Sequence, residues 1–189
     1  MIEITEQLHE EVVALDLGFL YEEQVCTWEV SKCLRGNFTV NEQEEQECGD
    51  PLCVTIKAMV EFKIEATPRS SYNTWLSEAF DGPICGEMVC AYSHNGSDRG
   101  YHWGKFEWHG SASRLIGKMS GVANAGTYRG CGPCDRSGHM EGRLDAVVVD
   151  GKHEGCRVLA SYVINLDKNS GAQNTRVDGV LEGVAIHPC

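Results

Sequence analysis

From Val54 the sequence alternates strictly. Ile56, Ala58, Val60, Phe62 and Ile64 fall on one face, and Lys57, Glu61, Lys63 and Glu65 on the other. A helix turns about 100° per residue and would scatter these two sets, so only a half-buried strand sorts them. The same period returns as Leu144, Ala146, Val148, then as Val158, Ala160, Tyr162, Ile164, and again as Val177, Leu181, Ala185.

Strands are expected near 24–30, 54–65, 84–92, 101–109, 114–125, 140–149, 156–167 and 175–187. Turn signals at Asn95-Gly96, Asp150-Gly151 and Asn169-Ser170-Gly171 separate several of them. Residues 67–83 read as a loop with one helical turn, and the acidic run Glu42–Glu47 as a solvated loop. The one helical signal is Leu8, Val12 and Leu15 at i, i+4, i+7, with Gly18 as its stop, giving a short N-terminal helix within residues 1–20. The fold class is therefore all-β: an antiparallel meander, a barrel in preference to a sandwich, in one domain over 1–189 whose barrel spans 24–189.

The chain has ten cysteines, and two pairs have metal-ligand spacing: Cys48-x4-Cys53 and Cys131-Gly-Pro-Cys134. Each pair offers two thiolates from one turn, as a tetrahedral zinc site needs. In a meander both turns fall at the same end of the sheet, so Cys48, Cys53, Cys131 and Cys134 are expected to hold a structural zinc, with His139 as reserve ligand. Buried free thiols or local disulfides are the plainer explanation of the same residues. Cys156, His187 and Cys189 form a second, weaker grouping at the opposite end. The Cys131–Cys134 spacing matches thioredoxin-type redox motifs. Its flanks lack the helical period that would lower the thiol pKa, so dithiol oxidoreductase chemistry is not expected.

A net charge of −12, from 28 acidic and 16 basic residues, speaks against nucleic acid as a partner. No stretch approaches the ~20 apolar residues of a membrane helix, so membrane contact is not expected. The start, Met1-Ile2-Glu3-Ile4, lacks the basic and apolar regions of a secretory signal, which favours a cytoplasmic protein with reduced thiols. Secretion with disulfides is the alternative: the cysteine count is even, and Asn37-Phe38-Thr39 and Asn95-Gly96-Ser97 are formal glycosylation sequons.

Within a closed barrel, alternation turns His102, Tyr162 and Tyr92 inward as the polar groups of a largely apolar ligand site. A barrel simply filled by side chains would place them identically. Glu107 and His109 share the other face at i, i+2. They are the candidate acid/base pair, and equally read as part of a solvated strand face. The sequence carries no nucleophile-elbow, phosphate-loop, dinucleotide or zinc-protease motif.

The stretch Gly117–Ala125 with Gly126-Thr127-Tyr128-Arg129, followed by glycine-rich paired strands, resembles the calycin-type barrels that include allene oxide cyclases and dirigent-like proteins. That resemblance covers the C-terminal half and implies a barrel that takes apolar small molecules. Together these readings lead to a small-molecule-binding β-barrel with a structural zinc. A cyclase or isomerase, or a zinc-dependent hydrolase, using the barrel cavity is the enzymatic alternative. An assembly protein or homo-oligomer is the third.

Overall fold

The computed structural model describes residues 25–47, 54–69, 79–93, 99–124, 137–167 and 174–188. Eight strands follow in order: β1 Val25–Glu47, β2 Val54–Pro68, β3 Gly82–Ser93, β4 Arg99–His109, β5 Ser113–Asn124, β6 Ser137–Gly151, β7 Arg157–Asp167 and β8 Asn174–Pro188. Each pairs antiparallel with the next, and β8 closes on β1 to complete a barrel without edges. Closure removes the exposed edge that an open meander would offer to other chains.

The stagger of the barrel follows from its registers. Starting at Gly82, partners run through Ala66, Leu34, Gly179, Ile164, Met140, Ala123 and Gly100, and return to β3 at Tyr92, ten residues away. Eight strands with this stagger are strongly tilted, and the interior of an eight-stranded barrel is wide enough for packed side chains or one small ligand.

Alternation decides which face each residue takes. Ala58, Val60, Phe62, Ile64 and Ala66 of β2, Leu144, Ala146 and Val148 of β6, and Val158, Ala160, Tyr162, Ile164 and Leu166 of β7 are all buried in the core. Lys57, Glu61, Lys63 and Glu65 are exposed. On β2 the outward face is charged, whereas Tyr101, Ile116, Val122, Val147, Val163 and Val184 are exposed on the outer faces of other strands.

Inner-facing glycines shape the barrel. On opposed strands Phe62 faces Gly86, Phe106 faces Gly117, Ile164 faces Gly179 and Ala160 faces Gly183. A Cβ on Gly117 would meet the Phe106 ring at 2.5 Å, and one on Gly86 would meet Phe62 at 2.7 Å. Each ring lies where its neighbour's missing side chain leaves room, so the strands pack closely.

The lower end, where β2–β3, β4–β5 and β6–β7 connect, is closed by turns bonded to one another. Ala112 N–H donates to Ala79 O (3.4 Å) and Lys152 N–H to Ala112 O (3.1 Å). Phe80 seals the centre, with ring centroids 6.0 Å from Trp108 and 6.3 Å from His153. Gly151 takes φ +105°, the left-handed backbone that the Asp150-Gly151 turn signal anticipates.

One difference from the sequence reading stands out. Glu42–Glu47 is not a loop. It continues β1 beyond a bulge between Val40 and Glu42, pairing Glu42 with Met59 through to Glu47 with Val54. Charge governs solvation, whereas the start of β2 still needs backbone partners, and β1 supplies them. The expected N-terminal helix lies outside the described residues.

Candidate functional site

Among the described residues the buried polar or charged side chains are Lys32, His102, Ser113 and His153, and two places are built on them. Near the upper end, where β1–β2, β3–β4, β5–β6 and β7–β8 connect, His102 and Tyr162 are 1% and 3% exposed. Nε2 of His102 and the Tyr162 hydroxyl are hydrogen-bonded, with ring centroids 5.8 Å apart. They belong to β4 and β7, with two whole strands between them. The register puts His102 opposite Gly121, Gly121 opposite Gly142, and Gly142 opposite Tyr162. Two facing glycines thus leave the inner face bare, and the side chains meet across it. A Cβ on Gly121 would lie 2.8 Å from His102 Cε1, and one on Gly142 2.5 Å from the Tyr162 oxygen.

Electrostatics keeps the pair neutral. Burial pushes His102 down from 6.5 to about 4, because a cation there would be stripped of water. Burial, and secondarily Cys90, raise Tyr162 above its usual range. Cys90 lies opposite His102 on β3 and is itself buried. Nδ1 of His102 is buried with no hydrogen-bond partner among the described residues. Trp108 Nε1 and Ser113 Oγ, at the packed lower end, share that condition. Around the His–Tyr pair the inner rows are narrow, with Ala58, Cys90, Gly100, Ala123 and Gly138 at register positions near the upper end.

The second polar place is Lys32, fully buried on β1 between Val30 and Leu34, with Nζ 2.5 Å from Asp81 Oδ1 in the turn before β3. The sequence reading missed it. Its signal was available, since Lys32 keeps step with Val30 and Leu34 on the inward face.

Of the three expected ligand residues, the structure brings His102 and Tyr162 together. Tyr92 is paired with Gly100 at the end of β3. Glu107 and His109 lie on the outer face, about half exposed, with His109 Nε2 3.2 Å from Glu107 Oε2. Arg114 also holds Glu107, at 3.2 Å, and its hydrogen bond chiefly lowers the carboxyl's pKa. Glu107 is therefore held as the carboxylate.

Cys48, Cys53, Cys131 and Cys134 lie outside the described residues. The strand ends that bracket them, Glu47 and Val54, Asn124 and Ser137, all belong to the upper end. The reserve ligand His139 is exposed on the outer face of β6, opposite Asn124 and Asn165. Among the described residues no three His, Cys, Asp or Glu side chains are grouped to hold a metal ion. Cys26 is disulfide-bonded. Cys33 and Cys85 are half-buried thiols, and Cys90 and Cys156 are buried ones. Burial raises the Cys156 thiol.

The outer wall also carries a groove. One part, of about 1230 Å3, runs past Cys85, Glu107, His109, Ile116 and Arg157. The other, of about 750 Å3, runs past Met59, Trp103, Lys118 and Arg143. Glu87, Lys105, Lys118 and Asp145 border both.

Compared with known proteins, the chain matches no family model, no curated protein and no solved structure. Its class is that of an eight-stranded, closed antiparallel barrel, and its function must be argued from the site, because a fold does not name an activity.

Proposed function

We propose that this protein binds an apolar small molecule in the upper half of the barrel, anchored by the His102–Tyr162 pair. The observation that carries this reading is the buried, unpartnered Nδ1 of His102. A phenol is the better donor and a neutral imidazole nitrogen the better acceptor, so the Tyr162 hydroxyl donates to Nε2. The proton of the neutral ring then sits on Nδ1, which becomes a donor facing an apolar interior. A buried donor without an acceptor is costly, and a ligand oxygen would relieve it. The site favours a neutral ligand with one carbonyl or ether oxygen, since an ion would pay heavily for desolvation. The resemblance to calycin-type barrels points the same way.

Cyclase or isomerase activity on such a ligand is the enzymatic version of the same reading, with Tyr162 and His102 polarising an oxygen. The structural zinc on Cys48, Cys53, Cys131 and Cys134 belongs to the proposal too, supported by the common end of their flanking strands. The disulfide at Cys26 favours an oxidising compartment over the cytoplasm as the place of action. Elemental analysis of tag-free protein, combined with thiol titration, separates zinc from further disulfides.

Binding is tested by titrating cyclic apolar ketones against protein labelled with 15N-histidine. Binding that shifts the His102 Nδ1 resonance and is lost in Tyr162→Phe supports the reading. Ketones that leave that resonance unmoved at saturation overturn it.

A further inference from the structure

The outer groove holds a second set of side chains with different chemistry. Lys105 on β4 and Lys118 on β5 stand directly opposite each other, and Arg143 on β6 is opposite Ser120, the next outward residue along β5. Like charges directly opposed across a sheet destabilise it. Neighbouring cations are neutralised: Arg157 donates to Asp145 (2.8 and 2.5 Å), and Arg114 to Glu107. Lys105, Lys118 and Arg143 have no ion pair or side-chain hydrogen bond among the described residues. Each lysine also has a carboxylate neighbour in the register, Glu87 opposite Lys105 and Asp145 opposite Lys118. Asp145 is held by Arg157, and neither carboxylate forms an ion pair with a lysine among the described residues, so the two ammonium groups meet at the centre of the row.

The adjacent row supplies an apolar shelf. Met59 pairs with Val89 and Val89 with Trp103, and the row continues through Ser120, Arg143 and Ser161. Trp103 is 37% exposed. All these residues line the part of the groove of about 750 Å3, a volume in the range of small-molecule sites. Glu87, Asp145 and Glu182 border it as well, so a cation could approach, but the centre is the Lys105–Lys118 pair.

We infer that this groove is a binding site for an amphipathic organic anion, its carboxylate or sulfonate over Lys105, Lys118 and Arg143 and its ring or chain along Trp103, Val89 and Met59. The two lysines act as point charges, Arg143 and the Ser120 hydroxyl add directional donors, and the indole face takes the apolar body. The site is separate from the interior one, asks for an anionic ligand where that one asks for a neutral ligand, and does not depend on it.

The test is titration of 2-naphthoate and 2-naphthalenesulfonate, with neutral 2-naphthol and inorganic sulfate as comparisons, followed by calorimetry. Both naphthyl anions are expected to bind, more weakly as salt is raised, with 2-naphthol and sulfate each at least about tenfold weaker. Lys105→Gln with Lys118→Gln should weaken the anions by about tenfold or more, from the loss of charge-assisted contacts. Trp103→Ala should weaken them while leaving sulfate unchanged. Tyr162→Phe should leave naphthoate binding intact, which separates this site from the interior one. The substituted residues are exposed, and unchanged thermal melts show that the variants fold. No anion binding at millimolar concentration, equal binding of 2-naphthol, or insensitivity to the double lysine substitution overturns the inference.

Discussion

His102 and Tyr162, 60 residues apart in sequence and three strands apart around the barrel, are hydrogen-bonded through the space that Gly121 and Gly142 leave empty. Neither ring could reach the other over ordinary side chains. The pair is thus a property of four strands at once, and the first three expectations concern it.

Gly142→Ala should destabilise the protein by about 1–3 kcal/mol, as overpacking does. The new methyl overlaps the Ser120 carbonyl oxygen and sits 2.5 Å from the Tyr162 oxygen. In a Tyr162→Phe background the same change should cost less, because part of the clash is gone. Urea denaturation of the four proteins in this cycle measures it. A cost under about 0.5 kcal/mol for the single change would contradict the packing described.

Tyr162→Phe removes the partner of His102 Nε2 while keeping the ring. The expected cost is about 1–3 kcal/mol, from a buried polar atom left unsatisfied. Replacing His102 by Leu in that background should recover part of it. Equal stability of Tyr162→Phe and wild type in denaturant would show that the bond contributes nothing.

Stability should fall as pH drops from about 6.5 towards 4. His102 has its folded pKa depressed from 6.5 to about 4, so in this window the unfolded chain binds a proton that the folded chain refuses. Protonation then favours unfolding, by about 2–3 kcal/mol near pH 4.5. The contribution is fully present above pH 6.5. The measurement is the difference between wild type and His102→Asn at pH 7 and pH 4.5, which cancels the carboxylates common to both. If both proteins lose the same stability, His102 does not carry the effect.

Lys32 and Asp81 form the other buried polar contact. Asp81→Asn should cost about 3 kcal/mol, since it removes the counter-charge from a lysine with no exposed surface. Lys32→Met in the Asp81→Asn background should return much of that loss, because a well-packed apolar side chain replaces a buried ion. Thermal melts of the wild type and the two variants distinguish this from simple loss of packing, in which case the double variant would be the worst.

Thiol accessibility should split in two. Under native conditions iodoacetamide should modify Cys33 and Cys85, which are half-buried on the outer face, well before Cys90 and Cys156. Reaction needs an accessible thiolate, and burial both shields the Cys156 thiol and raises its pKa. Peptide mapping over time reads the order. Early labelling of Cys156 would mean that the lower end opens readily.

Much of this molecule was legible in one dimension. The period of two assigns inner and outer faces correctly on β2, β4, β6, β7 and β8, and so anticipates that His102 and Tyr162 point inward and that Glu107 and His109 point outward. Strand number and the antiparallel order follow from the same signal plus the turns. Lys32 was legible too, and only its charge hid it among Val30 and Leu34. The acidic stretch was misread for the same reason: Glu42 and Glu44 are exposed, as their charge suggests, but in a strand.

What the chain alone determined is which way each side chain faces, because that depends on the parity of its position and on nothing distant. What the tertiary structure decided is who meets whom around the barrel. That depends on the registers of eight strand pairs taken together, and a shift of one pair would move every partner beyond it. The junction of His102 with Tyr162 over two glycines exists because three successive registers, β4–β5, β5–β6 and β6–β7, align those four residues, and Lys105 meets Lys118 through the first of them.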